Sequence, residues 1–164
     1  MATYDEAMQT LKLTSRTFYL PIVKLPGGLR DAVAAGYLCL RSIDEIEDHP
    51  TLSGADKASL LGGISRILQS QTSVETFAHD EFTQLFKDFR EELPEVTLRI
   101  GEWACYAPTF IAPRVWEATA TMADRMAQWA TVNWRVSNKS DLDRYTYGVA
   151  GAVGLLLCDI WAWF

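Results

Sequence analysis

The chain has 164 residues, 49% of them hydrophobic, which is one ordinary domain with enough apolar material for a sizeable core. Its 15 basic and 21 acidic residues leave a formal charge of −6. This argues against a nucleic-acid footprint, because phosphate neutralisation needs clustered Lys and Arg, so any anionic substrate must be met by a few placed cations or by metal.

Strand signals are nearly absent, and long amphipathic stretches alternate with Pro, Gly and Ser breaks, which predicts an all-α domain covering residues 1–164. A first helix is expected from about Tyr4 to Leu13 and a second from Ser15 to Val23, where Ser15 has the chemistry of an N-cap. The turn Leu25-Pro26-Gly27-Gly28 precedes a third helix from Leu29 to Glu47 or Asp48, which stops before His49-Pro50. Ser53 opens a fourth helix to about Ser70, and Gln71 to Thr76 reads as a loop. Single helices are expected over Glu81–Leu93 and Val96–Tyr106. A long helix then begins near Pro113, which suits a first turn, and runs to about Val136. The last helix is expected from Asp141 to the terminus.

That final stretch, Tyr147 to Phe164, is almost wholly apolar with Asp159 its only charge, and it reads as the buried central helix of a bundle. It ends on Trp161-Ala162-Trp163-Phe164 without Gly or a basic last turn, so the sequence suggests a chain cut within a longer domain. Trp103, Trp116, Trp129 and Trp134 are expected in the core, and His49 and His79 at the surface or in turns. The three cysteines, Cys39, Cys105 and Cys158, show neither zinc spacing nor a disulfide framework, which fits a cytoplasmic protein. The acidic N-terminus is not a signal peptide.

Three clusters carry chemistry. The densest is Asp44-Glu45-Ile46-Glu47-Asp48, with four acids in five residues at the end of a helix, where the dipole favours cations and where Asp44 and Asp48 repel as an i,i+4 pair. Such a cost invites a counter-ion, and hard divalent cations such as Mg²⁺ take carboxylate oxygens while bridging to substrate phosphates. Tyr37, Arg41, Asp44 and Asp48 stack on one face of the same helix, a polar line on an otherwise apolar element. The alternative for this cluster is a solvated helix end with Arg41 paired to Asp44 or Glu45. In Ser15-Arg16-Thr17-Phe18, Arg16 offers a guanidinium fork to a phosphate. In the third cluster, from Tyr145 to Gly154, Gly148, Gly151 and Gly154 recur every third residue, each costing about 1 kcal/mol in a helix interior. Either close helix packing or a helix deformed beside a cavity would offset this. Tyr145 and Tyr147 border the segment with rings able to stabilise a cation.

Taken in order, these clusters resemble the squalene and phytoene synthase family. The matching text is SRTFYLPIVKLPGGLRDAVAAGYLCLRSIDEIED, followed about a hundred residues later by YTYGVAGAVG, and the resemblance spans Ser15 to Phe164. It implies an all-α isoprenoid synthase-type bundle around a central cavity. It also implies a Mg²⁺-dependent condensation of two prenyl diphosphates 1′-1, with NADPH used only if the product is squalene. On this resemblance Asp44 and Asp48 hold Mg²⁺, while Ser15, Arg16, Tyr37 and Arg41 line the diphosphate end. Tyr145 sits at the reacting centre, and Phe18, Val149, Ala150 and Gly151 wall the cavity. The family's second aspartate-rich motif is not found before Phe164, so the 164-residue chain is expected to be inactive alone, with a C-terminal half or a second chain completing the bundle. Same-fold alternatives are a terpene cyclase, a prenyl-diphosphate phosphatase, or a non-catalytic relative acting in assembly. Any membrane contact is expected to be peripheral.

Overall fold

A computed structural model describes residues 2–15 and 17–164, and among these every regular element is helical. The elements are α1 (Tyr4–Thr14), α2 (Tyr19–Val23), α3 (Gly27–Glu47), α4 (Gly54–Ser70), α5 (His79–Leu85), α6 (Glu95–Leu98), α7 (Ile100–Tyr106), α8 (Ala112–Thr131), α9 (Lys139–Thr146) and α10 (Ala152–Trp163). A 3₁₀ turn, Lys87–Phe89, follows α5, and a π-helical turn, Tyr147–Gly151, joins α9 to α10. The all-α class is therefore as the sequence implied.

Helix α3 is the hub. Its Ala, Leu, Ile and Val positions bury one broad face, and α1, α6, α7, α8 and α10 pack around it. Helix α4 lies along α8, where Leu60, Leu61 and Ile64 join Val115 and Met126 in the core. Polar groups inside are paired: Trp103 and Trp116 donate their indole N–H to the Val96 and Ala104 carbonyls, both at 2.8 Å. Buried Ser42 donates to the Leu38 and Val96 carbonyls, while Thr97 donates back to the Ser42 carbonyl at 3.0 Å, locking α6 to α3.

Several expected helix boundaries shift, some for local reasons and some through tertiary partners. Ser15 does not cap α2; it ends α1, its N–H and its buried hydroxyl both bonded to the Leu11 carbonyl (2.9 and 2.6 Å), and α2 begins only at Tyr19. The Glu81–Leu93 stretch divides after Leu85, as Phe82 and Phe86 turn into an aromatic cluster with Phe77 and Trp116. Val96–Tyr106 breaks at Arg99, whose guanidinium binds Glu6 of α1 together with Glu95 and Glu102 and stacks on Trp103. Helix α8 stops at Thr131, not Val136, because Asn133 and Trp134 adopt left-handed φ values of 49° and 51°. That turn presses on the start of α4, where a Cβ at Gly54 would lie 2.8 Å from Asn133 Oδ1 and 2.9 Å from the Ala130 carbonyl oxygen.

The C-terminal helix is not the buried central rod that its apolarity suggests. Leu156 and Ile160 bury against α3 and α8, whereas Leu155, Leu157, Trp161, Trp163 and Phe164 are exposed. The helical run Lys139–Trp163 is long and apolar enough to cross a membrane, by length and composition alone.

Candidate active site

The polar line on α3 opens into a cavity of about 530 Å³ between α2, α3, α8 and α10. Its walls are apolar, with Phe18, Ile22, Leu25, Val33 and Leu40 on one side and Met122, Val149, Val153, Leu156, Ile160 and Trp161 on the other. Gly36 also lines it, where a Cβ would make an ordinary van der Waals contact with Leu156 at 3.4 Å. The polar groups collect at one end: Tyr37, Arg41 and Asp44. A pocket of this size with an apolar body and a few convergent polar groups is the usual form of a small-molecule site.

Two of those three side chains have partners, and the third is set by burial and charge. The Tyr37 hydroxyl donates to the Thr14 carbonyl at 3.1 Å, at the end of α1 beside Ser15, and burial raises its pKa. Arg41 pairs with Glu45 one turn on, which meets part of the solvated-end alternative. Yet Arg41 Nε is buried without a hydrogen-bond partner, an unsatisfied donor on a residue that lines the cavity. Asp44 is pushed up to about 7, first by burial and then by the nearby charges of Glu47, Asp48 and Glu45, against the opposing pull of Arg41.

Asp48 parts from the other three. It caps α3, is exposed, and faces a second recess of about 260 Å³ lined by Glu47, Trp134, Val136 and Tyr145. Glu47 organises this recess. Its Oε1 accepts the Trp134 indole N–H at 2.7 Å and the Tyr145 hydroxyl at 3.4 Å. Lys57 donates to the Glu47 carbonyl at 2.6 Å and lies 5.1 Å from the Trp134 ring centroid. Burial raises the pKa of Glu47 and likewise of Tyr145, whose neighbouring Glu47 pushes in the same direction. Trp134 and Trp129 are thus not core residues: one binds Glu47, and the other is half-buried with its ring edge-on to Tyr145 at 5.6 Å.

Of the residues expected from sequence, Phe18, Tyr37, Arg41, Asp44 and Val149 share the large cavity, while Asp48 and Tyr145 share the acidic recess. Ser15 is buried beside Tyr37 and lines neither. Ala150 and Gly151 stand exposed on the π turn, and Arg16 lies outside the described residues. Both explanations offered for the glycines find a place. The helix is deformed at Tyr147–Gly151, and Gly148 packs so tightly that a Cβ would lie 3.3 Å from Arg125 Cδ, whereas Gly154 faces open space. From the sequence alone, Glu47 and Lys57 have no individual role and Trp134 is expected in the core. Glu47 was visible within the acidic run, but nothing local ties it to residues 57, 134 and 145.

The donors present suit a hard divalent cation. Asp44 and Asp48 are carboxylates one turn apart, and Asp44 carries a repulsion that a cation would relieve. No group of three or more His, Cys, Asp or Glu with metal-holding geometry occurs among the described residues.

The fold is thus an all-α bundle with an apolar cavity that ends in Tyr37, Arg41 and Asp44, the form of a small-molecule site. The chain belongs to the squalene/phytoene synthase family, whose model matches residues 11–163. It is 31% identical over 159 residues to squalene synthase of Schizosaccharomyces pombe, covering 94% of this chain and 33% of that protein. It is likewise 31% identical over 152 residues to squalene synthase of Rattus norvegicus, covering 93% and 34%, and 31% identical over 158 residues to squalene synthase BSS of Botryococcus braunii, covering 93% and 31%. The chain spans about a third of the length of these relatives.

Proposed function

We propose that this chain supplies the diphosphate-binding side of a Mg²⁺-dependent prenyltransferase that joins two prenyl diphosphates 1′-1. The observation that carries this reading is the apolar 530 Å³ cavity with Arg41 at its polar end, the guanidinium Nε buried and unsatisfied. An isoprenoid tail is wholly apolar and its head is a polyanion, which matches the division of the cavity.

In this reading Arg41 and Tyr37 bind the diphosphate oxygens, Arg41 through the free edge of its guanidinium. Asp44 and Asp48 hold Mg²⁺, which supplies charge neutralisation for the departing diphosphate. The walls from Phe18 and Ile22 across to Val153 and Leu156 exclude water from the allylic cation. Tyr145 relays the proton lost from a substrate carbon, its phenol oxygen taking that proton as its own O–H proton passes to the Glu47 carboxylate. The exposed apolar face of α10 is covered by further helical polypeptide, whether in the same protein or a companion, and any contact with a membrane is peripheral. On this basis the 164-residue chain binds substrate without turning it over.

Fluorescence titration of the chain with farnesyl diphosphate, with and without Mg²⁺, tests this. Affinity is expected to rise with Mg²⁺ and to fall about tenfold or more in Asp44→Asn plus Asp48→Asn and in Arg41→Ala. Binding that ignores both the metal and these substitutions would overturn the assignment.

A further inference from the structure

Away from α3, the end of α8 and the start of α9 enclose an opening of about 640 Å³ lined by Arg125, Arg135 and Arg144, with the Trp129 and Tyr147 rings in its wall. This is a concentration of positive charge on a chain of net charge −6. The one carboxylate in the lining, Asp141, is already committed: it accepts from Arg144 at 2.5 Å and from the Ser137 backbone N–H at 3.1 Å. Arg30, Arg99 and Arg114 end on carboxylates, whereas Arg125 and Arg135 form no ion pair among the described residues. Three guanidinium groups and one carboxylate leave this opening two positive charges in excess. Both free guanidinium groups gain something from the nearby C-terminal end of α8, but they also repel each other, and a shared polyanion removes that repulsion.

The site is also held in shape. The Arg125 guanidinium lies 5.1 Å from the Tyr147 ring centroid, and its stem packs on Gly148, where any Cβ would crowd it. Arg135 follows the left-handed pair Asn133 and Trp134, and its N–H bonds the Val132 carbonyl at 3.1 Å. Ordering the Arg125 side chain beforehand lowers the entropy lost on binding, and the fixed turn places the Arg135 backbone at the same opening. The opening is separate from the acidic recess: of the edge-on pair Trp129 and Tyr145, one ring lines each.

We infer that Arg125, Arg135 and Arg144 form a second anion site, for a phosphomonoester or diphosphate group whose attached apolar part rests on Trp129 and Tyr147. A guanidinium fork suits phosphoryl oxygens, and the excess charge matches a dianion. The group can arrive on a soluble diphosphate or on a lipid headgroup.

Two arms separate the sources. In one, the chain is titrated calorimetrically with inorganic diphosphate in metal-free buffer at two salt concentrations. In the other, it is sedimented with vesicles of phosphatidic acid in phosphatidylcholine, against phosphatidylcholine alone. Saturable, salt-sensitive binding is expected in at least one arm, reduced about tenfold or more by Arg125→Ala plus Arg135→Ala and restored only in part by Arg125→Lys plus Arg135→Lys. Arg135→Ala alone removes no tertiary hydrogen bond and keeps a folded control in hand. Absence of binding in both arms overturns the proposal. So does a double variant that binds like the parent, or one that melts earlier with binding unchanged, which would confine these arginines to the end of α8.

Discussion

Removing the buried charge at Asp44 should stabilise the free protein at alkaline pH, and by an amount that grows with pH. In the unfolded chain this carboxyl ionises near 3.8, whereas in the fold burial and three acidic neighbours push it up to about 7. A carboxyl whose folded value is raised favours the fold fully below its unfolded pKa, and that support is lost as pH rises through the folded value. Between pH 4 and pH 7 the unfolded chain has released this proton and the folded chain has kept it. At 1.36 kcal/mol per unit, the interval from 3.8 to about 7 amounts to about 4 kcal/mol above pH 8. Asp44→Asn keeps the shape and hydrogen-bonding edge but cannot ionise. Urea unfolding of both proteins from pH 4 to pH 8.5 should therefore give curves that coincide near pH 4 and separate progressively, the variant being the more stable. Subtracting the two cancels the other titrating groups. Mg²⁺ added at pH 8 should recover part of the difference in the parent and none in the variant. A stability difference that does not change with pH would refute the placement of Asp44 in a half-buried position among other acids.

Two further substitutions probe the scaffold. Trp134→Phe removes the indole donor to Glu47 while keeping a ring beneath Lys57, and should cost about 1.5 kcal/mol in urea unfolding, since the partner is a carboxylate. It should also raise the Glu47 carboxyl pKa further, visible by NMR titration; an unmoved titration would remove Trp134 as its support. Gly63→Ala would place a Cβ within 2.9 Å of Leu85 Cδ2, at a cost of about 1–2 kcal/mol in thermal unfolding. Leu85→Ala in the same chain should relieve the clash, so that the double variant is less destabilised than the two single losses added together.

Helix content and the main cavity face followed from short-range rules. The apolar spacing of residues 29–46, the Ser53 cap, whose hydroxyl accepts the Asp56 N–H at 3.1 Å, and the stacking of Tyr37, Arg41 and Asp44 depend on neighbours within about two turns, which periodicity and capping chemistry describe. Contacts across the chain decided the rest. Arg99 breaks a continuous apolar run because it pairs with Glu6, 93 residues away in sequence. Glu47 acquires a role only when Trp134 and Tyr145 arrive from 87 and 98 residues further along. The apolarity of α10 is equally plain in both views, but which of its faces meets α3 and which stays open is set by the neighbouring helices. A residue's type states what it can bond or bury, whereas its partner is chosen by chain packing, and that choice carries no local signature.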